Sequence, residues 1–352
     1  MINDYLRKDL NDFKPYHAPE KEYEVKIDAN ENPYSHSPEV LSKACQWLLE
    51  KDNITRYPDT DQHKLREKLA EIHHVSKDNI TCGVGSDQLI EYIIKAFIEP
   101  GNVILSPNPS FSMYALSNTL NHGKTINYEL EKDFSYNIDH IIDLYKEHNP
   151  KIIFICTPNN PTGTTINKEK LHKLLEVVKC PVVIDEAYGE FINEGMINEV
   201  SSYKQIVVLR TFSKAFGLAG LRVGYAIASQ EMIEAINICK APYNLSSFSA
   251  KMAMLVLEYL SYYQEQVQVL LNNRTIFMKQ LKCIPTIEEV YPSEANFVLV
   301  KVKNIDIIKI LENNKILVRG YGTEGRLAYC MRITVGTKEE NEILIQTLNK
   351  YK

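Results

Sequence analysis

The sequence predicts an α/β protein: a large domain whose mostly parallel sheet is sandwiched by helices, followed by a smaller α+β domain. Three observations carry this. First, "VILSP", "KIIFICTP", "PVVIDEAY", "QIVVLRTF" and "GYAIAS" are short, β-branched and apolar on both faces, with helical segments such as "NKEKLHKLLEVVK" between several of them. Such strands form parallel sheets covered on both sides. Second, 352 residues suit one large domain plus a smaller one. Third, the pattern changes after "YNLSS", where a long helical stretch leads into a few strands and helices.

In chain order, residues 1–35 read as a polar arm with Pro15, Pro19 and Pro33 and little periodicity, packed near the small domain. Residues 36–245 form the large domain. "HKLREKLAEIHH" has helical spacing, and "NITCGVG" is a short strand running into glycines. "SDQLIEYIIKAFIEPG" puts Leu89, Ile90, Ile93, Ile94 and Phe97 on one helical face and closes at Pro100 and Gly101. Residues 246–352 form the small domain. It has a helical stretch from about Ser249 to Leu281, a strand "ANFVLVKV", a helix "NIDIIKILENN" and two strands, "KILVRG" and "YCMRITVG". Thr337 and Glu340 have the capping-box spacing that opens the last helix.

Composition excludes several classes. Apolar residues are 44% and charged residues 24%, as in ordinary globular enzymes. A net charge of −5 with scattered basic residues gives no electrostatic case for nucleic acid or anionic membrane. The polar amino terminus has no apolar core of a signal peptide, and no apolar run approaches the roughly 20 residues of a membrane span. Seven cysteines, spread out and without Cys-x-x-Cys, read as reduced thiols in a cytoplasmic protein.

Ligands of a doubly wound sheet bind beyond the carboxyl ends of its strands. The polar and aromatic residues placed there are Gly83 to Asp87, Phe111, Asn160, Asp185 with Tyr188, and Ser213 with Lys214. Each alone has a plain structural reading. Ser86 or Asp87 is a helix cap, Asn160 is turn chemistry, Asp185 is a capping aspartate, Lys214 is a surface lysine and Arg222 is an ion-pair partner. "CGVGSDQLI" opens a helix whose first N–H groups favour an anion, but Gln88 stands where a dinucleotide fingerprint needs glycine. A carboxylate ending the buried strand "VVID" needs a cationic or hydrogen-bonding partner. Together, phosphate donors, a carboxylate, a ring-stacking aromatic and a lysine describe a pocket for pyridoxal phosphate.

The order Asn160-Pro-Thr-Gly, Asp185-Glu-Ala-Tyr188, Ser213-Lys214 and Arg222 resembles the fold-type-I aminotransferases, over nearly the whole chain. "DANENPY", "RYPD", "GSDQLI", "TPNNPTG", "SEANFVL" and "MRITVGT" resemble the histidinol-phosphate aminotransferase family in particular. The resemblance implies a seven-stranded large-domain sheet and pyridoxal 5′-phosphate attached to Lys214. It puts Asp185 on the pyridine nitrogen, Asn160 and Tyr188 on O3′, and Phe111 on the ring face. The phosphate falls to Ser86, Asp87, Ser213 and Arg222, with Tyr57 reaching in from the second subunit of a homodimer. Substrate contacts fall to Tyr16, Asn30, Arg319 and Arg332.

The implied reaction interconverts L-histidinol phosphate plus 2-oxoglutarate and imidazole-acetol phosphate plus L-glutamate. This chain departs from the family in carrying Phe111 where tyrosine is common, and Val84 and Gln88 where asparagine and glutamate are. The nearest alternatives are an aromatic or aspartate aminotransferase, or a threonine-phosphate decarboxylase, which share the cofactor residues. A ligand-sensing regulator on this fold, or a nucleotide-binding module using "GVGSD", fits less well.

Overall fold

The computed structural model describes residues 5–10 and 21–351. The arm contributes β1 (Val25–Lys26), followed by α1 (Pro38–Leu49) and α2 (His63–His73). The central region runs β2 (Ile80–Val84), α3 (Gly85–Phe97), β3 (Val103–Asn108), α4 (Met113–Leu120), β4 (Lys124–Glu129), α5 (Ile138–His148), β5 (Ile152–Cys156), α6 (Lys168–Val177) and β6 (Val182–Asp185). It continues through β7 (Ile206–Thr211), β8 (Val223–Ala228) and α7 (Gln230–Ile238). The remainder is α8 (Ser247–Glu258), α9 (Leu260–Lys282), β9 (Ile287–Val290), β10 (Phe297–Val302), α10 (Asp306–Asn313), β11 (Ile316–Leu317), β12 (Arg319–Gly320), β13 (Cys330–Thr334) and α11 (Lys338–Lys350).

Seven strands form the large sheet in the order β2-β8-β7-β6-β5-β3-β4. All pairs are parallel except those of β8, which runs antiparallel to β2 and β7. Period-2 alternation sorts each central strand between two cores. Ile153 and Ile155 of β5 face one cluster, while Ile152, Phe154 and Cys156 face the other with Leu89, Ile90, Ile93 and Ile94 of α3. Both faces of β5, β6 and β7 are therefore dry, which is why those stretches read as continuous apolar runs.

A four-stranded sheet, β12-β13-β10-β9, forms the second layer, and β1 pairs in parallel with β11. Val25–Lys26 is thus tied to Ile316–Leu317 in the carboxyl-terminal part of the chain. Thr337 and Glu340 form the reciprocal capping box at the start of α11.

Four features differ from the sequence expectation. The helical stretch near 249–281 is two helices broken at Tyr259 (φ −110°, ψ 34°), with no glycine or proline to announce the break. "KILVRG" divides: Ile316–Leu317 joins the arm, and Arg319–Gly320 joins the small sheet. Strand β4 is at the sheet edge and β9 at the edge of the small sheet, and neither has the apolar run of a central strand. Helix α3 begins at Gly85 after Val84, with no side-chain cap, so neither Ser86 nor Asp87 is its cap. Among the described residues no helix is long and apolar enough to cross a membrane, and no cluster of metal-ligating side chains occurs.

Candidate active site

The carboxyl ends of β2, β3, β5, β6 and β7 lie on one edge of the sheet. Antiparallel β8 brings its amino-terminal end, and hence Arg222, to the same edge. This arrangement gathers most of the expected residues. Gly85 has φ +74°, and a Cβ there would lie 2.5 Å from Arg222 Nη2. A Cβ on Gly224 would lie 2.5 Å from the Ser86 nitrogen. Glycine is required at both places to bring β8 and Arg222 against the first turn of α3.

Arg222 itself has φ +54°, an uncommon conformation for a side-chain-bearing residue. Its Nη1 donates to Ser213 Oγ at 3.1 Å and its Nη2 to Asp87 Oδ2 at 3.0 Å. The plain ion-pair reading of Arg222 is therefore realised, with Asp87 as partner. A carboxylate repels a phosphate, so Asp87 serves an anion only through its N–H at the helix start. Gln88 instead braces the turn before the helix. Its Oε1 accepts from the Val84 N–H and from Asn244 Nδ2, both at 2.9 Å. The amide fills the turn that a dinucleotide site leaves to glycine.

Asp185 is buried at the end of β6. Tyr114 donates its hydroxyl to Oδ2 at 2.6 Å, and the Ala187 N–H donates to Oδ1 at 3.0 Å. Both donors are neutral. Burial pushes the carboxyl up to about 6, against the lowering effect of those two hydrogen bonds. Tyr114 was not legible in the sequence, because a tyrosine inside a helix carries no mark of its partner. Phe111, half-buried, packs edge-on against Tyr114 with centroids 5.6 Å apart.

Lys214 follows β7, half-buried, and its Nζ donates to the Ala29 carbonyl at 2.9 Å. Burial, and after it the positive charge of Arg332, bring its amine down to about 8. The Tyr188 ring lies 5.9 Å from that nitrogen. Tyr188 is buried, and its hydroxyl accepts from Asn30 Nδ2 at 2.9 Å. Asn30 is held in turn by Thr334, whose Oγ1 accepts the Asn30 N–H at 2.9 Å, and by Asn296, which donates to its carbonyl at 3.0 Å. Asn296 and Thr334 fall within "SEANFVL" and "MRITVGT", but neither stretch names its partner. Their partner lies in the distant arm, and no local pattern points to it.

Arg332 is buried on β13. Its Nη1 donates to Asn160 Oδ1 and its Nη2 to the Asp28 carbonyl, both at 2.5 Å. Its Nε is buried without a hydrogen-bond partner among the described residues. Arg319 on β12 stands directly opposite Arg332 in the antiparallel register, so both side chains leave the same face of the small sheet, although Arg319 is exposed. Tyr188 thus lies beside Lys214, with Asn30 bonded to Tyr188, Asn160 to Arg332 and Ser213 to Arg222. Tyr57 does not join them: it is exposed and stacks on Tyr243 at 4.5 Å. Tyr16 lies outside the described residues.

A lysine amine, a buried carboxylate and an uncapped helix start beside Arg222 lie on one edge of a seven-stranded α/β sheet. The chain belongs to the class I and II aminotransferases, whose family model matches residues 23–348. The histidinol-phosphate aminotransferase of Ruminiclostridium cellulolyticum is 42% identical over 352 residues, covering 99% of this chain and 98% of that one. That of Pyrococcus furiosus is 36% identical, over 98% of this chain and 97% of the relative. Among solved structures, the histidinol-phosphate aminotransferase of Sinorhizobium meliloti, in complex with pyridoxal-5′-phosphate, has the same fold. Its TM-score is 0.89 at 22% identity, with 98% and 96% of the two chains covered.

Proposed function

We propose that this chain transfers an amino group between L-histidinol phosphate and 2-oxoglutarate, giving imidazole-acetol phosphate and L-glutamate, as a step of L-histidine biosynthesis. One observation carries the chemistry: a Lys214 amine near 8 shares a sheet edge with a buried Asp185 carboxylate whose donors are both neutral. The choice of substrate is supported by the 42% identity to a relative that bears that name.

The residues present fit pyridoxal 5′-phosphate. A carboxylate raised by burial gains from a protonated pyridine nitrogen. The uncapped first turn of α3, with Ser213 and Arg222 beside it, suits a phosphate. Ser86 and Asp87, through their backbone N–H groups, would hold that phosphate with Ser213 and Arg222. Phe111 would cover the ring face, and Asn160 and Tyr188 would meet its hydroxyl. When bound, the cofactor supplies a carbonyl for the substrate amine and a ring that withdraws electrons from the substrate Cα.

Lys214 Nζ takes the Cα proton and returns it on the other side of the transfer, as general base and then general acid. Asp185 would keep the pyridine nitrogen of the bound cofactor protonated, and Tyr114 and Ala187 fix the direction of its oxygens. Arg332 binds the substrate anion with a planar fork, which serves a phosphate in one half-reaction and a carboxylate in the other.

Two assays test this reading together. Borohydride should fix the cofactor onto Lys214, and the holoenzyme should convert histidinol phosphate far faster than phenylalanine or aspartate. Arg332→Ala should lower kcat/KM of both half-reactions by about 10²-fold, with Arg332→Lys recovering only part. An intact half-reaction with histidinol phosphate in Arg332→Ala would mean that the phosphate is held elsewhere.

The proposed organisation is an arm to residue 35, a large domain over 36–245 and a small domain over 246–352, acting in the cytoplasm as a homodimer. Seven free cysteines support a reducing setting. Tyr57 is exposed with Leu49, Ile54 and Ile238, which supports its serving the site of a second copy. Mixing Lys214→Ala with Tyr57→Ala chains checks this. Hybrid dimers regain one complete site if Tyr57 acts across the interface, and regain nothing if it acts within its own chain.

A further inference from the structure

Strands β12 and β13 form a hairpin that carries Arg319 and Arg332 opposite one another. Its connecting segment, residues 321–329, sends Arg326 across to the large sheet, just past the edge strand β4. There Nη2 donates to the carbonyls of Leu130 and Glu131, both at 2.8 Å. Nη1 lies 3.4 Å from the Glu129 carboxylate, and the guanidinium sits 5.7 Å from the Phe134 ring centroid. An exposed ion pair alone contributes little. Two carbonyls, a carboxylate and a ring face on one planar fork fix an orientation, which an ammonium does not reproduce.

The receiving residues lead on into the site. Glu129 accepts from Asn108 Nδ2 at 2.7 Å, and the Leu130 N–H donates to the Asn108 carbonyl at 3.0 Å. Phe111 lies three residues further along the chain. The Phe134 carbonyl accepts from Thr164 Oγ1 at 3.0 Å, and the Thr164 carbonyl accepts the Asn159 N–H at 2.7 Å. The next residue, Asn160, receives Arg332.

We propose that Arg326 is a positioning residue, which locks the hairpin bearing Arg319 and Arg332 to the segments presenting Phe111 and Asn160 and so sets the affinity for anionic substrates. This rests on the substrate role given to Arg332 above. In the holoenzyme, Arg326→Ala should raise KM for histidinol phosphate and for 2-oxoglutarate about tenfold, with kcat within about twofold. Cofactor absorbance and thermal midpoint should stay as in the wild type. Arg326→Lys should recover less than half of the effect, and Glu129→Gln should raise KM about two- to threefold.

Added to Arg332→Ala, the Arg326 change should have a smaller effect than it has alone, because part of it acts through the Arg332 guanidinium. Amide exchange over residues 319–334 should quicken in Arg326→Ala, a readout that needs no substrate. Unchanged KM and exchange in Arg326→Ala would overturn the proposal, as would full rescue by lysine. A wild-type enzyme that ignores histidinol phosphate would instead overturn the function proposed above, and the exchange measurement would still decide the role of Arg326.

Discussion

Lys214→Ala is expected to fold normally and to lose about 10²- to 10⁴-fold in turnover, the range that a positioned proton carrier supplies. The side chain donates one hydrogen bond, to the Ala29 carbonyl, so its removal costs the fold little. What is lost is a nitrogen whose basicity the site has tuned. An ordinary lysine near 10.5 is almost wholly protonated at neutral pH, whereas burial and the Arg332 charge bring this one to about 8.

The sign of the pH effect follows. The amine accepts a proton only when neutral, so the single-turnover rate of the wild type should rise with pH and level off above about 8. In Arg332→Ala that midpoint should move upward, because a neighbouring positive charge has been removed. A Lys214→Ala enzyme that turns over normally, or a wild-type rate independent of pH from 6 to 9, would remove Lys214 from the proton transfer.

Much of the fold and site is legible in the sequence, for physical reasons. Strands β5, β6 and β7 are buried on both faces, so their sequences are apolar throughout and stand out from the helices. Their carboxyl ends are where Asn160, Asp185, Ser213 and Lys214 then have to be, because the sheet topology places ligands there. The edge strands β4 and β9 are half-wet and carry no such signal, so they do not stand out. The break at Tyr259 involves no glycine or proline, and its backbone N–H still reaches Leu255 and Val256, so nothing local marks it.

Contacts between distant segments are hidden for a similar reason. Tyr114 reaches Asp185 across 71 positions, Thr334 reaches Asn30 across 304, and Arg326 reaches Leu130 across 196. None of these three belongs to a spacing or periodicity that one stretch of chain displays. The site residues are visible because chemistry restricts their type at a strand end. Those that hold them are free to be any donor that the fold delivers.

Asp185→Asn should lose about 10²- to 10³-fold in activity, as when one preorganised electrostatic partner is removed, and should make the cofactor-free protein more stable. The second half follows from linkage. The folded-state carboxyl, at about 6, lies above its ordinary 3.8 because it is buried with only neutral donors. Between those values the native state binds more protons than the unfolded one, so stability falls as pH rises from about 4 to about 6. Near pH 7.5 the ionised carboxylate costs the cofactor-free fold about 3 kcal/mol, at 1.36 kcal/mol per pKa unit over roughly two units.

Asparagine carries no charge and escapes that cost. Denaturant midpoints of the two cofactor-free proteins should differ in favour of the variant at pH 7.5 and converge near pH 4. Adding pyridoxal phosphate should reverse the order, since a protonated pyridine nitrogen supplies the cationic partner that the wild-type carboxylate can use and the amide cannot. Equal midpoints at pH 7.5, or equal gains from the cofactor, would mean that Asp185 is only a structural cap at the end of β6. The carboxylate is a strain on the cofactor-free fold that is relieved by the group it serves.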